Sequence, residues 1–291
     1  MRIMTSNIWG DFFDNPTHLR SDGLYTTYEK YSPDIIGFQE AAAGWYDATL
    51  FVKLSENYNF VGTSLFKNTN STPIAIKKEY KILAYGHEQL ENTPDISKAI
   101  TWAVLEKDGK RFVVCNTHFW WMRGKESLIT QQYCGVVGYT AEMHCELRNQ
   151  NAAQLSALMK QLHEKYSCPV FAFGDMNAAV SEPLFEVFAQ NGVKKLFDMT
   201  ENRDLSCTVH GDPKKGDDGK FHGKKATPES MRAFRKELCL EDDCTDGYLT
   251  SIDHIISLGD GFSVSAYRVV EDAESLDASD HCPVYADVSL D

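Results

Sequence analysis

The chain has 291 residues, 43% of them hydrophobic and 24% charged, a composition that excludes a disordered or fibrous protein. Its 29 basic residues against 42 acidic ones leave a net charge of −13, the wrong sign for a protein that holds nucleic acid by neutralising phosphates. No apolar run reaches 18 residues, which excludes a membrane-spanning helix. The eight cysteines contain no C-x-x-C pair and no zinc-finger spacing. Reduced thiols in the cytoplasm are therefore expected. Cys239 and Cys244 are close enough to pair were the protein secreted with its leader trimmed.

Strand-like and helix-like patterns alternate, which predicts an α/β protein. Arg2–Ile8 reads as a strand and Leu19–Tyr31 as a short helix, broken by Ser32-Pro33. Asp34–Gln39 is a compact apolar strand ending on Glu40, and helical spacing follows over Trp45–Ser55. Strands are expected at Tyr58–Thr63 and Pro73–Lys77, then at Ala99–Glu106 and Arg111–Thr117 on either side of an Asp108-Gly109 hairpin turn. The longest helical pattern runs from about Val137 to Tyr166, and Pro169–Phe173 is a buried-type strand delivering Gly174-Asp175-Met176-Asn177. Glu182–Gln190 reads as a helix. Beyond Asp198 the chain turns polar and glycine-rich, with a helix expected over Pro228–Leu240 inside an insertion at about 212–247. Strands at Ser251–Ser257, Phe262–Val270 and Pro283–Ser289 close the chain. No repeat or linker divides it, so one domain over 1–291 is expected.

The polar chemistry gathers where strands end. Asn7, Glu40, His118, Asp175 with Asn177, Asp253, and Asp280 with His281 each follow or open an apolar run. One such residue means little, because strand ends are solvated and an Asp or Asn there makes turns. Six ends supplying only Asn, Asp, Glu or His point to a site.

These motifs, in order Ser-Asn-Ile (6–8), Gln-Glu (39–40), Asn-Thr-His (116–118), Gly-Asp-Met-Asn (174–177), Ile-Asp-His (252–254) and Ser-Asp-His (279–281), resemble the endonuclease/exonuclease/phosphatase superfamily over essentially the whole chain. The resemblance implies a four-layer α/β sandwich, two mixed sheets packed face to face with helices outside. It implies a metal-dependent phosphoester hydrolase, with Mg²⁺ as cofactor and Mn²⁺ as a substitute. Glu40 would be the main metal ligand, aided by Asn7 and Asp280, as hard oxygen donors suit Mg²⁺. His281 held by Asp253 would carry a proton beside the phosphate, and Asp175 would orient or deprotonate the attacking water or handle the leaving group. Asn177 would position that carboxylate or the phosphate, and His118 would donate to a non-bridging oxygen. His254 reads as packing.

Some family nucleases carry an acid two residues after the position of Asn7. Trp9 stands there, which favours one metal over two. Trp120 and Trp121 after His118 read either as stacking surfaces for a base or sugar or as core. Arg148 resembles a family arginine beside the site but is also an ordinary helix-surface residue. Thr208-Val209-His210-Gly211 resembles a motif of a bacterial branch that would bring His210 near the substrate. The insertion, with Lys214, Lys215, Lys220, Lys224, Lys225, Arg232, Arg235 and Lys236 among many acids, reads as a solvated loop or a phosphate-gripping lid. The acidic balance favours a small, sugar- or lipid-derived phosphoester. A nuclease of single-stranded nucleic acid comes second, duplex DNA third, and a non-catalytic module of the same fold last. Oligomeric state is not legible.

Overall fold

The computed structural model describes residues 1–11, 15–62, 71–240 and 243–291. Thr63, at the end of an expected strand, and Glu241 and Asp242 of the insertion lie outside the described residues. In chain order the strands are Arg2–Asn7 (β1), Ile35–Gln39 (β2), Tyr58–Val61 (β3), Ile74–Lys77 (β4), Lys81–Gln89 (β5), Ala99–Lys107 (β6) and Lys110–His118 (β7). They continue with Val170–Asp175 (β8), Lys194–Lys195 (β9), Lys214–Lys215 (β10), Phe221–His222 (β11), Asp253–Leu258 (β12), Phe262–Val269 (β13) and Val284–Leu290 (β14). The α-helices are Ser21–Tyr31 (α1), Ala43–Asp47 (α2), Thr49–Leu54 (α3), Leu128–Tyr133 (α4), Ala141–Tyr166 (α5), Leu184–Gln190 (α6), Pro228–Glu237 (α7), Gly247–Thr250 (α8) and Ala273–Ala278 (α9).

Two six-stranded mixed sheets form, in the orders β13-β14-β1-β2-β4-β3 and β5-β6-β7-β8-β12-β9. Alternate side chains of each strand go to opposite faces. Ile3, Ile35 and Ile74 of the first sheet meet Leu105, Phe112, Val114, Phe171 and Phe173 of the second in an apolar interior. On the far face of the first sheet, Met4, Ile36 and Phe38 are covered by Leu24 and Tyr28 of α1 and Leu50 and Phe51 of α3. On the far face of the second, Val113, Cys115, Val170 and Ala172 pack under Leu155, Met159 and Leu162 of α5 and Leu184 of α6. The expected four layers are present. Burial on both faces explains why β2 and β8 read as near-continuous apolar runs rather than as alternation.

The hairpin between β6 and β7 turns through Asp108 and Gly109, both at positive φ (53° and 75°) with Lys107 opposite Lys110, as Asp-Gly chemistry requires. Trp45–Ser55, expected as one helix, is two, broken where Ala48 takes extended backbone (φ −79°, ψ 156°). Strand β5 was not foreseen. It is a sheet edge whose side chains are half exposed throughout, so its pattern is weak. The insertion folds as the β10–β11 hairpin and helix α7, which is capped by Thr227 and Ser230 with Pro228 in its first turn.

The sheets approach closely at Gly37. A Cβ there would enter the ring of Phe173 and stand 2.7 Å from Cγ of Asn116. Gly37→Ala should therefore destabilise the protein by about 1–3 kcal/mol through overpacking, read as a lower urea midpoint; an unchanged midpoint would show that the sheets separate freely.

Candidate active site

The parallel pairing of β1 with β2 sets Asn7 opposite Gln39, one residue short of Glu40. In the second sheet His118 faces Asp175 across β7 and β8, and Asp175 faces Asp253 across β8 and β12. Three side chains thus line up along one sheet end, against Asn7 and Glu40 from the other. The turn before β14 adds Asp280 and His281. Its Ser279 hydroxyl donates to the carbonyl of Asn7 (2.7 Å) and accepts from the His281 amide (3.2 Å). The stretch 208–210 runs beside this turn, with the Cys282 amide on Thr208 O (2.7 Å) and the His210 amide on Asp280 O (3.1 Å). Thr208 Oγ1 accepts from the amides of Ile252 and Asp253, so Thr208 ties the start of β12, through its hydroxyl, to the His281 turn, through its carbonyl.

The side chains form one hydrogen-bonded cluster. Asn7 Nδ2 donates to Asp175 Oδ2 (3.0 Å) and Glu40 Oε1 (3.2 Å), while its Oδ1 accepts from the Trp9 amide (3.0 Å). Glu40 Oε2 also accepts from the Gly10 amide (2.8 Å). Asp175 Oδ1 accepts from the Asn177 amide (2.8 Å), and Asn177 Nδ2 donates to Phe119 O. Asp253 Oδ2 lies 2.8 Å from His281 Nδ1, and His281 Nε2 lies 3.9 Å from Asp175 Oδ2. His118 Nε2 lies 3.4 Å from the same Asp175 oxygen and 2.8 Å from the ammonium of Lys98. Trp9, Glu40 and Asn177 all hold left-handed backbone (φ 53°, 58° and 48°), a concentration of strain of the kind found at sites.

Burial and charge compete here. Burial would raise Asp175, but His118, His281 and Lys98 outweigh it and hold the carboxyl well below the usual range. Burial likewise opposes the ionised form of Glu40, and His118, Lys98 and the Gly10 amide pull it down. His281 would fall on burial alone; Asp253 and Asp280 lift it well above an ordinary histidine. Burial pushes Asp280 up to about 7, with Glu40 and Asp212 adding and His281 opposing.

The model of the Endonuclease/Exonuclease/phosphatase family matches residues 4–281. The chain belongs to this family. No curated protein matches it by sequence. Its fold is similar to that of an endonuclease/exonuclease/phosphatase from Bacteroides vulgatus (20% identity, 100% of this chain and 98% of that one, TM-score 0.67). A mannosyl-6-phosphatase from Bacteroides thetaiotaomicron is similar at 17% identity, with both chains fully covered and TM-score 0.67. TDP2 from Caenorhabditis elegans is similar at 15% identity over 100% of this chain and 75% of that one, with TM-score 0.64.

Family membership carries metal-dependent phosphoester hydrolysis, and the residues fit a metal. Atoms of Glu40, His118 and Asp175 lie within 4.8 Å of one another, as do those of Asp175, Asp253 and His281. Asp280, half-buried and near enough to Glu40 to feel its charge, adds a further hard oxygen donor. The amide nitrogen of Asn7 bridges the carboxylates of Asp175 and Glu40, and its Oδ1, with one lone pair on the Trp9 amide, keeps the other for a cation.

Two expected substrate contacts are corrected. Trp120 is fully buried, packed with Met122, Val136 and Leu147, and its indole N–H donates to His144 Nδ1 (2.9 Å). It is core, because the chain after His118 turns inward. Arg148 is buried too; it donates to Met122 O (2.9 Å) and pairs with Glu182 (3.3 Å). Trp121 is half-buried against Trp120. His210 lies beside the site with both ring nitrogens buried and neither in a hydrogen bond of good geometry; burial and the charge of His281 lower it to about 4. His254 is buried, with Nε2 on Ala178 O (3.0 Å) and its ring edge-on to Phe185.

Several residues at the site carried no sequence signal. Lys98 is one. Arg123 is another, bonded to Glu182 and to the carbonyl of Asn177. Arg20 is buried and donates to the carbonyls of Ile8, Trp9, Gly10, Asn15 and Ala278, which clamps the loop after β1 to the end of α9. The insertion touches the loop after β1 and the stretch after β7. Phe221 meets Trp9 edge-on (5.9 Å), and Lys125 donates to the carbonyl of Lys236 on α7.

Trp120→Ala should cost about 3–5 kcal/mol of stability, as for a buried tryptophan, and Trp121→Ala far less; equal urea midpoints for the two variants would return Trp120 to the surface. The His281–Asp253 pair predicts a pH signature. Because the folded-state value of His281 is raised above 6.5, its contribution is complete below the unfolded value and fades as pH rises through the folded one. The stability gap between wild type and Asp253→Asn should shrink as pH rises above the ordinary histidine value of about 6.5, followed by urea unfolding.

Proposed function

We propose that the chain is a Mg²⁺-dependent hydrolase of a small, sugar- or lipid-derived phosphoester, working as one catalytic unit over residues 1–291. The supporting observation is a single oxygen atom: Asp175 Oδ2 stands within reach of Asn7, His118 and His281 at once, with Glu40 on the other side of Asn7. When bound, Mg²⁺ supplies charge neutralisation at phosphate oxygens. Glu40 and Asp280 would hold it, with Mn²⁺ as a substitute, and Asn7 would space the carboxylates. His281 keeps its proton against Asp253 and presents Nε2–H to a phosphate oxygen. Asp175, kept ionised, accepts a proton from water or steadies the leaving-group side, and Asn177 fixes its orientation through Oδ1.

The substrate class is supported by the charge of −13 and by the likeness in fold to a mannosyl-6-phosphatase. A further support is residues 127–141, which carry no charge. There Leu128, Ile129, Tyr133 and Val137 are exposed, while Val136 packs on Trp120 and Cys134 is near enough to Lys98 to be felt by it. An uncharged rim suits the apolar part of a lipid or aglycone better than a polyanion. A nuclease acting on single strands loses Trp120 as a stacking surface, and the insertion lysine Lys225 is engaged with Glu271.

Hydrolysis of bis-p-nitrophenyl phosphate and p-nitrophenyl phosphate, with Mg²⁺, Mn²⁺ or EDTA, beside single-stranded and duplex oligonucleotides, tests the reading. EDTA-sensitive cleavage of a small ester with both oligonucleotides intact is expected. Asp175→Ala and His281→Ala should each lower kcat by about 10²–10⁴-fold or more while melting as folded proteins. Salt-sensitive cutting of an oligonucleotide would replace the substrate class, and near-normal turnover in both variants would remove the site assignment.

A further inference from the structure

Arg123 is a buried cation with no part in the mechanism above. It is 6% exposed, and its guanidinium spans two partners: Nη1 donates to Glu182 Oε2 and Nη2 to the carbonyl of Asn177. Glu182 is buried as well. Its Oε2 also accepts from Arg148 Nη2 (3.3 Å), and its Oε1 accepts from the Ala179 amide (3.0 Å). Arg148 in turn donates from Nη1 to Met122 O (2.9 Å). The two arginines are thus matched in chemistry. Each shares the same carboxylate oxygen, and each serves one backbone carbonyl.

The direction of these bonds is fixed by the groups themselves, since a guanidinium only donates and a carbonyl only accepts. A buried ion triad adds little net stability, because desolvation opposes the attraction. What it supplies here is aim, and the two arginines differ in what they aim at. The Met122 carbonyl held by Arg148 belongs to the small core of Trp120 and Leu147. The carbonyl held by Arg123 belongs to Asn177, whose left-handed backbone (φ 48°) is a strained state that persists only where its surroundings hold it. Asn177 also donates its amide to Asp175 Oδ1 (2.8 Å) and its Nδ2 to Phe119 O (3.1 Å). Three bonds therefore hold this turn, and one of them orients Asp175. With Oδ1 on the amide, Oδ2 is the oxygen that faces Asn7, His118 and His281.

We propose that Arg123 is a positioning residue: directed by Glu182, it holds the Asn177 carbonyl and so keeps the 175–177 turn in the conformation that points Asp175 Oδ2 into the cluster, while Arg148 serves the fold alone. The structural half of this inference stands without a substrate. Its kinetic half rests on the proposed phosphoester site.

Arg123→Met and Arg148→Met make a matched pair. Each leaves one guanidinium against one carboxylate and one backbone carbonyl without its donor, so general loosening acts on both alike. Amide hydrogen exchange of the ¹⁵N-labelled full chain in EDTA, with Asn177 assigned against Asn177→Asp, reads the turn directly. The Val113 amide, bonded to Pro169 O at the other end of β7 (2.9 Å), serves as the internal reference. Relative to Val113, exchange at Asn177 should quicken about threefold to tenfold in Arg123→Met, the scale of one lost hydrogen bond, and stay unchanged in Arg148→Met. An unchanged ratio in Arg123→Met, or an equal rise in both variants, overturns the proposal. So does an Asn177 amide that exchanges at the open-chain rate in the wild type, whether or not any variant folds. In the hydrolysis assay Arg123→Met should lower kcat about tenfold to a hundredfold with little change in KM, the scale of a misplaced catalytic group, and Arg148→Met should stay within about threefold of the wild type. Equal losses of kcat would mean that Arg123 acts only through the fold. If the wild type cleaves no ester, the exchange ratios still decide the positioning role while the functional reading alone fails.

Discussion

The carboxamide of Asn116 holds the two sheets at the spacing on which the site depends. Its Nδ2 donates across the interface to Phe38 O (2.7 Å) and Pro73 O (3.0 Å), and its Oδ1 accepts from Gln39 Nε2 (2.5 Å). Thr5 completes this buried polar layer by donating to Gln39 Oε1 (3.2 Å). Unlike the apolar contacts below it, this layer has direction, since a slip of either sheet leaves buried donors and acceptors unmade, each costing about 1–3 kcal/mol. Gly37 lets the backbone come close enough for these bonds to form. Immediately above the layer come Asn7 and Glu40 from one sheet and His118 and Asp175 from the other, so the precision of the cluster is inherited from the layer beneath.

The site's electrostatics follow from burying four acids in one place. Glu40, Asp175, Asp253 and Asp280 cannot all be ionised in a desolvated pocket without cations. His281 supplies positive charge, Arg20 adds its field without touching a carboxylate, and a divalent metal would complete the balance. The two strongest pulls run in opposite directions, with Asp175 held low and His281 held high. Such separated pairs are what proton transfer near neutral pH needs.

Sequence alone located the acids and histidines of the site for a physical reason. Each follows or opens an apolar run, so Asp175 or Asp253 marks the limit of a pattern that is easy to see. Lys98 and Arg123 interrupt nothing. Both lie in connecting stretches outside the strands and helices, where a cation is commonplace, and only the fold shows them to be buried. Trp120 failed in the opposite sense. Adjacent tryptophans after a histidine of the cluster look like a binding surface, yet the chain turns inward and makes the first of them the centre of a small core with Met122 and Leu147. The clamp formed by Arg20 was hidden because all its acceptors are backbone carbonyls, which no residue type announces. Edge strand β5 was missed because half-exposed side chains blur the alternation that marks a strand.

The pairing of β1 also orders events during synthesis. This strand lies between β2, reached soon after it, and β14, where Ile3 stands opposite Ala286. As the chain leaves the ribosome, β1 can pair on one side early but keeps an open apolar edge until β14, the last strand described, has been made. Asn7 meanwhile waits for Ser279, the partner of its carbonyl. Contacts this distant in sequence form slowly and leave sticky edges exposed. Production of soluble enzyme should therefore be governed by how well the nascent chain is shielded over that interval, more than by the stability of the finished fold.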